Sequence, residues 1–207
     1  MVHERGIEVN PNRVKAIKEV GPPNSKVKLQ ELIGKINFLR RFISNLSGRI
    51  RSFAPLLRLK EGEEFAWGAD QQKALDDIKE YLSKPPVLIA PQSGKPFKMY
   101  ISAEDDTIVA VLAQEVDGKE HVIFYLSRKL IDAETRYPPI EKLCLSLYHA
   151  CTKLRHYLLS AAYLVVCKTD IVKHILSVPI LRGRLGKWAY ALIEFDLRYE
   201  SAKAVKG

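Results

Sequence analysis

Long apolar runs are missing from this chain. No stretch approaches the about 18–20 consecutive apolar residues that a membrane-spanning helix needs. The N-terminus is polar from its third residue onward, so it does not read as a secretory signal. Cysteine is scarce. Cys144, Cys151 and Cys167 show no metal-ligand spacing: the first two share one apolar helix face and the third closes an apolar run. All three read as buried reduced thiols of an intracellular protein rather than as a disulfide or a metal set. Internal repeats and low-complexity tracts are absent as well. Acidic residues are in deficit, 24 Asp and Glu against 33 Lys and Arg in 207 residues, for a net charge of +9. The pI is near 9.4. An excess of that size favours a polyanion, nucleic acid above all, as partner.

Apolar residues are nevertheless plentiful, at 47% of the chain, so a packed core is expected and wholesale disorder is not. Asn10-Pro11 is a turn that can start a helix lined by Val14, Ile17 and Val20. Gly21-Pro22-Pro23-Asn24-Ser25 breaks the pattern, and Asn24 or Ser25 can cap a second helix. There Leu29, Leu32, Ile33, Ile36, Leu39, Phe42 and Ile43 recur at helical spacing, with Lys28, Lys35, Arg40 and Arg41 on the other face. A third amphipathic helix is expected over residues 70–83, ended by Pro85-Pro86. The period then changes to two. Phe97, Met99 and Ile101 alternate with Lys98, Tyr100 and Ser102 as a strand, residues 108–114 make a second, and Asp117-Gly118 turns the chain into a third over 122–126. After Pro138-Pro139 comes the longest helix, carrying Ile140, Leu143, Cys144, Leu147, Cys151, Leu154 and Leu158. A short buried strand (163–167), two helices (172–176 and 185–193) and a last strand (195–199) complete an α/β arrangement behind a helical N-terminal segment.

Several short motifs, in order, carry a resemblance. Tyr125-Leu-Ser-Arg-Lys-Leu130, then Tyr137, then Glu141-Lys142, resembles the ribonuclease H region of gypsy-type LTR retrotransposon polyproteins, whose pattern runs Y-x-S-R-x-L, Y, E-K-E. Lys153-Leu-Arg-His-Tyr-Leu158 and Gly183-Arg-Leu-Gly-Lys-Trp188 are similar to that family too. Upstream, Arg40-Arg-Phe-Ile43, Pro55-Leu56, Phe65-Ala-Trp67 and Pro86-Val-Leu88 resemble its reverse-transcriptase thumb and connecting segment. The resemblance implies a thumb-like helical segment over residues 1–90 and a ribonuclease H-like mixed sheet over 91–207, truncated at its C-terminus. The polymerase's paired-aspartate motif is expected upstream of Met1.

In that family, ribonuclease H cuts the RNA of a hybrid with two magnesium ions held by four carboxylates, whose anionic oxygens let the ions stabilise the attacking and leaving oxygens. Against the family's Tyr-Thr-Asp-Ala-Ser-Asp stands Tyr100-Ile-Ser-Ala-Glu-Asp105, so the central carboxylate is replaced by Ser102. Against Glu-Lys-Glu stands Glu141-Lys142-Leu143, which keeps Glu141. Registering Val172-Lys173-His174-Ile175-Leu176 against Leu-Lys-Trp-Leu-Leu puts Lys168 where the third carboxylate would be, and the fourth is expected beyond Gly207. A two-residue slip would offer Asp170 instead, and Glu104, Asp105 or Asp106 could stand in for Ser102. The resemblance also extends to plant lineages in which such a degenerate domain precedes an intact one.

The resulting expectation is a non-catalytic module that holds template–primer or RNA–DNA hybrid and tethers the rest of a retroelement polyprotein, with no cofactor, no metal and no membrane. Glu141 is expected as a relic paired to Lys168. Lys35, Arg40 and Arg41 on the helical segment, and Arg182, Arg184 and Lys187 on the second domain, are the expected phosphate contacts. Tyr137 and Tyr148 are expected to pack rather than to stack on bases. Two rival readings stay open: an active magnesium-dependent hybrid ribonuclease, and a non-functional remnant of a decayed element. The place of action would be cytoplasm, virus-like particle or nucleus.

Overall fold

Apolar residues spaced three to four apart in the first part of the chain form helices in the computed structural model, which describes residues 2–3, 6–159, 162–176 and 183–202. The chain divides into two compact units, Met1–Leu88 and Ile89–Gly207.

The first unit begins with two short paired strands, β1 (Val2–His3) and β2 (Gly6–Ile7). Ile7 also exchanges two backbone hydrogen bonds with Leu88, at 2.6 and 3.1 Å. Gly6 makes this approach possible: its φ is +129°, and a Cβ there would run into the Leu88 carbonyl. Helix α1 (Pro11–Lys18) starts where Asn10 accepts a hydrogen bond from the Asn12 amide, with proline at the first turn. Ser25 caps α2 (Lys26–Asn37) in the same way. Two short helices, α3 (Leu46–Arg49) and α4 (Ala54–Leu57), lead to α5 (Ala69–Tyr81). Gln71 starts α5 by reaching back to the Gly68 amide. Leu29, Leu32 and Ile36 of α2 and Leu75 and Ile78 of α5 are fully buried, as is Phe53, against which Trp67 packs at 5.4 Å.

The second helix is shorter than its apolar pattern predicts. It ends at Asn37, and Arg40–Phe42 form a separate 3₁₀ turn. Leu39, Phe42 and Ile43 are nonetheless buried, because a 3₁₀ turn returns side chains to one face every three residues.

In the second unit, β3 (Phe97–Ala103), β4 (Thr107–Val116) and β5 (Lys119–Lys129) form an antiparallel meander. Asp117 and Gly118 both have positive φ, 52° and 73°, as the tight turn between β4 and β5 requires. After α6 (Asp132–Thr135), α7 (Pro139–Lys153) and α8 (Arg155–Leu158), strand β6 (Tyr163–Cys167) pairs parallel to β3. Then come α9 (Ile171–Leu176), α10 (Gly183–Leu192) and β7 (Leu197–Ser201), which pairs parallel to β6. The sheet order is β5-β4-β3-β6-β7, a mixed five-stranded sheet. Met99, Ile101, Ile108 and Leu112 of the sheet pack with Cys144, Leu147, Ala150 and Cys151 of α7. Several boundaries differ from expectation, two of them for a clear physical reason. The long helix breaks at Leu154 into α7 and α8, and the last strand begins at Leu197 because Phe195 closes the turn after α10, its amide bonded to the Leu192 carbonyl.

Candidate functional site

Glu141 lies in the first turn of α7, two residues after Pro139, where the helix dipole favours an anion. Its carboxylate is taken by Arg184 of α10, not by Lys168. The guanidinium Nε donates to a Glu141 oxygen at 2.7 Å, and Nη2 makes an ion-pair contact of 2.5 Å with the same oxygen. The guanidinium also lies 4.0 Å from the Tyr137 ring centroid. The expected pairing with Lys168 is therefore corrected. Lys168 follows the end of β6, is exposed, and makes no hydrogen bond or ion pair among the described residues. Motif matching along one dimension put Lys168 beside Glu141; the docking of α10 on α7 put Arg184 there instead.

Ser102 stands on β3 opposite Val109 of β4 and is exposed. Its neighbours Ile101 and Met99 point into the core under α7, so strand alternation sends Ser102, with Tyr100 and Lys98, to the other face of the sheet. Asp170 caps α9, accepting from the Lys173 amide at 2.8 Å. In the β3–β4 turn, the Asp105 backbone carbonyl accepts from the Lys142 ammonium at 2.7 Å, and Lys142 is 8% exposed. Lys142 stands in the Glu141-Lys142 motif, where the sequence alone gives it no role. It fastens the start of α7 to the turn that carries Glu104, Asp105 and Asp106.

A two-magnesium site needs several carboxylates converging on shared ions. The donors here do not fit one: Ser102 faces away from the core, Glu141 is held by a guanidinium, and Asp170 is a helix cap. Among the described residues, no group of three His, Cys, Asp or Glu side chains is placed to hold a metal ion. The thiols offer no alternative chemistry, since burial pushes Cys144 and Cys151 up to about 12.

Other motif residues turn out to be fasteners. Arg128 holds Glu134 through two hydrogen bonds of 2.9 and 3.0 Å, and Glu134 also accepts from the Ile131 amide. Tyr137 and Tyr148 both pack on Trp188, at 6.2 and 6.1 Å between ring centroids.

The basic residues sort into three kinds. Lys35 and Arg40 are exposed and carry no ion pair among the described residues. Arg41 is half-buried, with its guanidinium 5.6 Å from the Phe42 ring. On the second unit, Lys187 is exposed, Arg184 is engaged by Glu141, and Arg182 lies outside the described residues. Between Glu31 and Glu61 the chain carries seven Lys or Arg and no acidic residue, a stronger local signal than the overall charge. Beside Lys35, two further features share the outer face of α2. Phe38 is 70% exposed, with the Arg13 guanidinium 4.7 Å from its ring. Gly34, one turn earlier inside the helix, has nothing within 4 Å of where a Cβ would sit.

Residues 67–165 match the family model described as RNase H-like domain found in reverse transcriptase. Residues 67–165 thus carry an RNase H-like domain of the reverse-transcriptase kind. The chain is 26% identical over 204 residues to the Gag-Pol polyprotein of Walleye dermal sarcoma virus, covering 97% of this chain and 12% of that protein. It is 29% identical over 211 residues to a retrovirus-related Pol polyprotein from transposon opus of Drosophila melanogaster, covering 96% of this chain and 21% of that protein. The RNase H-like chain thus spans about an eighth to a fifth of the length of these relatives. Its fold is similar to that of a part of the foamy viral protease-reverse transcriptase solved in complex with RNA/DNA hybrid, at TM-score 0.81 and 20% identity, over 99% of this chain and 28% of that one. The mixed five-stranded sheet is accordingly an RNase H-like sheet. Among the described residues, no helix is long and apolar enough to cross a membrane.

Proposed function

We propose that this chain is a non-hydrolytic, nucleic-acid-holding module of a retroelement polyprotein. The helical unit acts as a thumb and connecting segment that grips RNA–DNA hybrid or template–primer, and the RNase H-like unit serves as scaffold and tether to the rest of the polyprotein. The observation that carries the reading is the outer face of α2 and the turn after it. Lys35 and Arg40 stand there exposed and, among the described residues, without ion pairs, in a stretch with no acidic residue. Positive charge without base-specific donors suits phosphate tracking, and Gly34, without a side chain beside the exposed Phe38 ring, leaves room for a duplex surface to approach the helix. The named hybrid complex of a structural relative is consistent with this partner.

Binding to a labelled RNA–DNA hybrid as a function of salt tests the reading. Log affinity should fall linearly with log salt, with a slope of about −0.9 for each phosphate neutralised. Replacing Lys35 and Arg40 by Ala should reduce the slope's magnitude by about 2 and weaken all sequences alike. In the same reactions, magnesium or manganese should give no hybrid cleavage above a no-protein control. A slope near zero would remove nucleic acid as the partner, and metal-dependent cleavage lost on Glu141→Gln would reinstate the nuclease.

A further inference from the structure

The Gly183-Arg-Leu-Gly-Lys-Trp188 motif has no part in gripping nucleic acid as proposed above, yet it is built into the fold in detail. Arg184 and Trp188 lie one turn apart on α10 and so share a face. Tyr137 and Glu141 are spaced equally across the start of α7. The two pairs interlock: Arg184 meets Glu141 and Tyr137, while Trp188 meets Tyr137 and Tyr148. Gly183, with φ of +75°, makes the turn into α10, and Gly186 is buried between the two contact residues.

We propose that Arg184 is the permanent counter-cation of Glu141. Its guanidinium occupies the place a divalent cation would need, and with Trp188 it closes a metal-independent clasp between α7 and α10. The inference rests on the non-hydrolytic reading of this unit. Its physical basis is that the Glu141 side chain is only 17% exposed. A carboxylate that sheltered needs a cation, and one residue meets both sides of the need: Nε donates to Glu141 with Nη2 in ion-pair contact with the same oxygen, and the guanidinium lies over the Tyr137 ring. An ammonium could supply the charge but neither the two-point contact nor the stacking.

Equilibrium urea unfolding of the full chain, in excess magnesium, manganese or EDTA, tests the clasp. The wild-type chain should unfold identically in all three. In a double-mutant cycle of Arg184→Ala and Glu141→Gln, the two residues should be coupled by about threefold to tenfold in the folding constant, a range set by a half-exposed ion pair with cation–π support. Arg184→Lys should lose most of that coupling, and it carries the cycle if Arg184→Ala does not fold. Stabilisation of the wild type by magnesium or manganese that disappears in Glu141→Gln would overturn the proposal, as would a cycle without coupling. Hybrid binding by the same proteins separates the two readings. Coupling without any hybrid binding sinks the proposed function and leaves the clasp; binding without coupling does the reverse.

Discussion

Gly34→Ala should make the protein more stable and worse at binding, an opposition that only a functional surface explains. Gly34 sits inside α2 with negative φ and open space where the methyl would go, so alanine fits without strain. Alanine is better than glycine in a helix interior by about 0.8–1.0 kcal/mol, because the unfolded chain loses less freedom. The position is near the helix end, where fraying dilutes the effect, so about 0.5–1 kcal/mol of added stability is expected. If hybrid packs against the bare backbone at Gly34, the same methyl overpacks a formed contact at about 1–3 kcal/mol. That corresponds to about fivefold to 150-fold weaker binding. Phe38→Ala is the matching control: the ring is 70% exposed, so stability should move little, while affinity should drop if the ring touches the ligand. Urea midpoints and fluorescence anisotropy with a labelled hybrid measure both quantities on one preparation. Gly34→Ala that gains stability and binds as well as wild type would remove this face from the interface. Gly34→Ala that loses stability would refute the packing argument itself.

Two other perturbations probe the RNase H-like unit. Glu115 and Glu120 face each other across β4 and β5, and the Lys98 ammonium contacts both, at 3.2 and 2.7 Å, so Lys98→Met should cost about 1–2 kcal/mol at neutral pH and less in high salt. Hydrogen bonds from Lys98 and then Tyr100 hold Glu120 below its ordinary value of 4.5, so the cluster's contribution is present above that pH and is lost as pH falls through the lowered value; the penalty of Lys98→Met should shrink in acid, and a penalty independent of pH would refute the charge account. The three cysteines should resist thiol reagents in the folded chain and react only on unfolding, because burial raises Cys144, Cys151 and Cys167; fast labelling of the native protein would show that the core around α7 opens.

Much of the fold is written in local patterns. The alternation through Phe97, Met99 and Ile101 and the Asp117-Gly118 turn specify the hairpins without any long-range information. Capping by Asn10 and Ser25 is equally local. The stretch from Leu39 to Ile43 was less legible, because α-helix and 3₁₀ turn bury nearly the same apolar positions. Which residue meets Glu141 was not legible at all. Arg184 lies 43 positions away, and nothing in its surroundings announces a carboxylate partner until α10 is docked on α7. The role of Lys142 was illegible for a similar reason: a buried lysine looks polar in sequence, and only the Asp105 carbonyl above it explains its burial.

Under the proposed non-hydrolytic reading, the RNase H-like unit keeps its fold without the chemistry that the family resemblance implies. A metal site places demands on side chains from several strands and helices at once, whereas the sheet and its covering helix depend on apolar burial and backbone pairing. On that reading, a carboxylate exchanged for serine at an exposed strand position such as Ser102 removes a ligand without opening a cavity. A carboxylate at a sheltered helix start such as Glu141 is different, because leaving it without a cation would cost more than losing a surface charge. Glu141 thus remains in contact with a positive group, and α10 supplies it. The same reasoning ranks the polar residues of this unit: those whose charge is met inside the fold, Glu141, Arg184, Lys142, Arg128 and Glu134, should tolerate substitution least, and exposed Lys168 and Ser102 should tolerate it best.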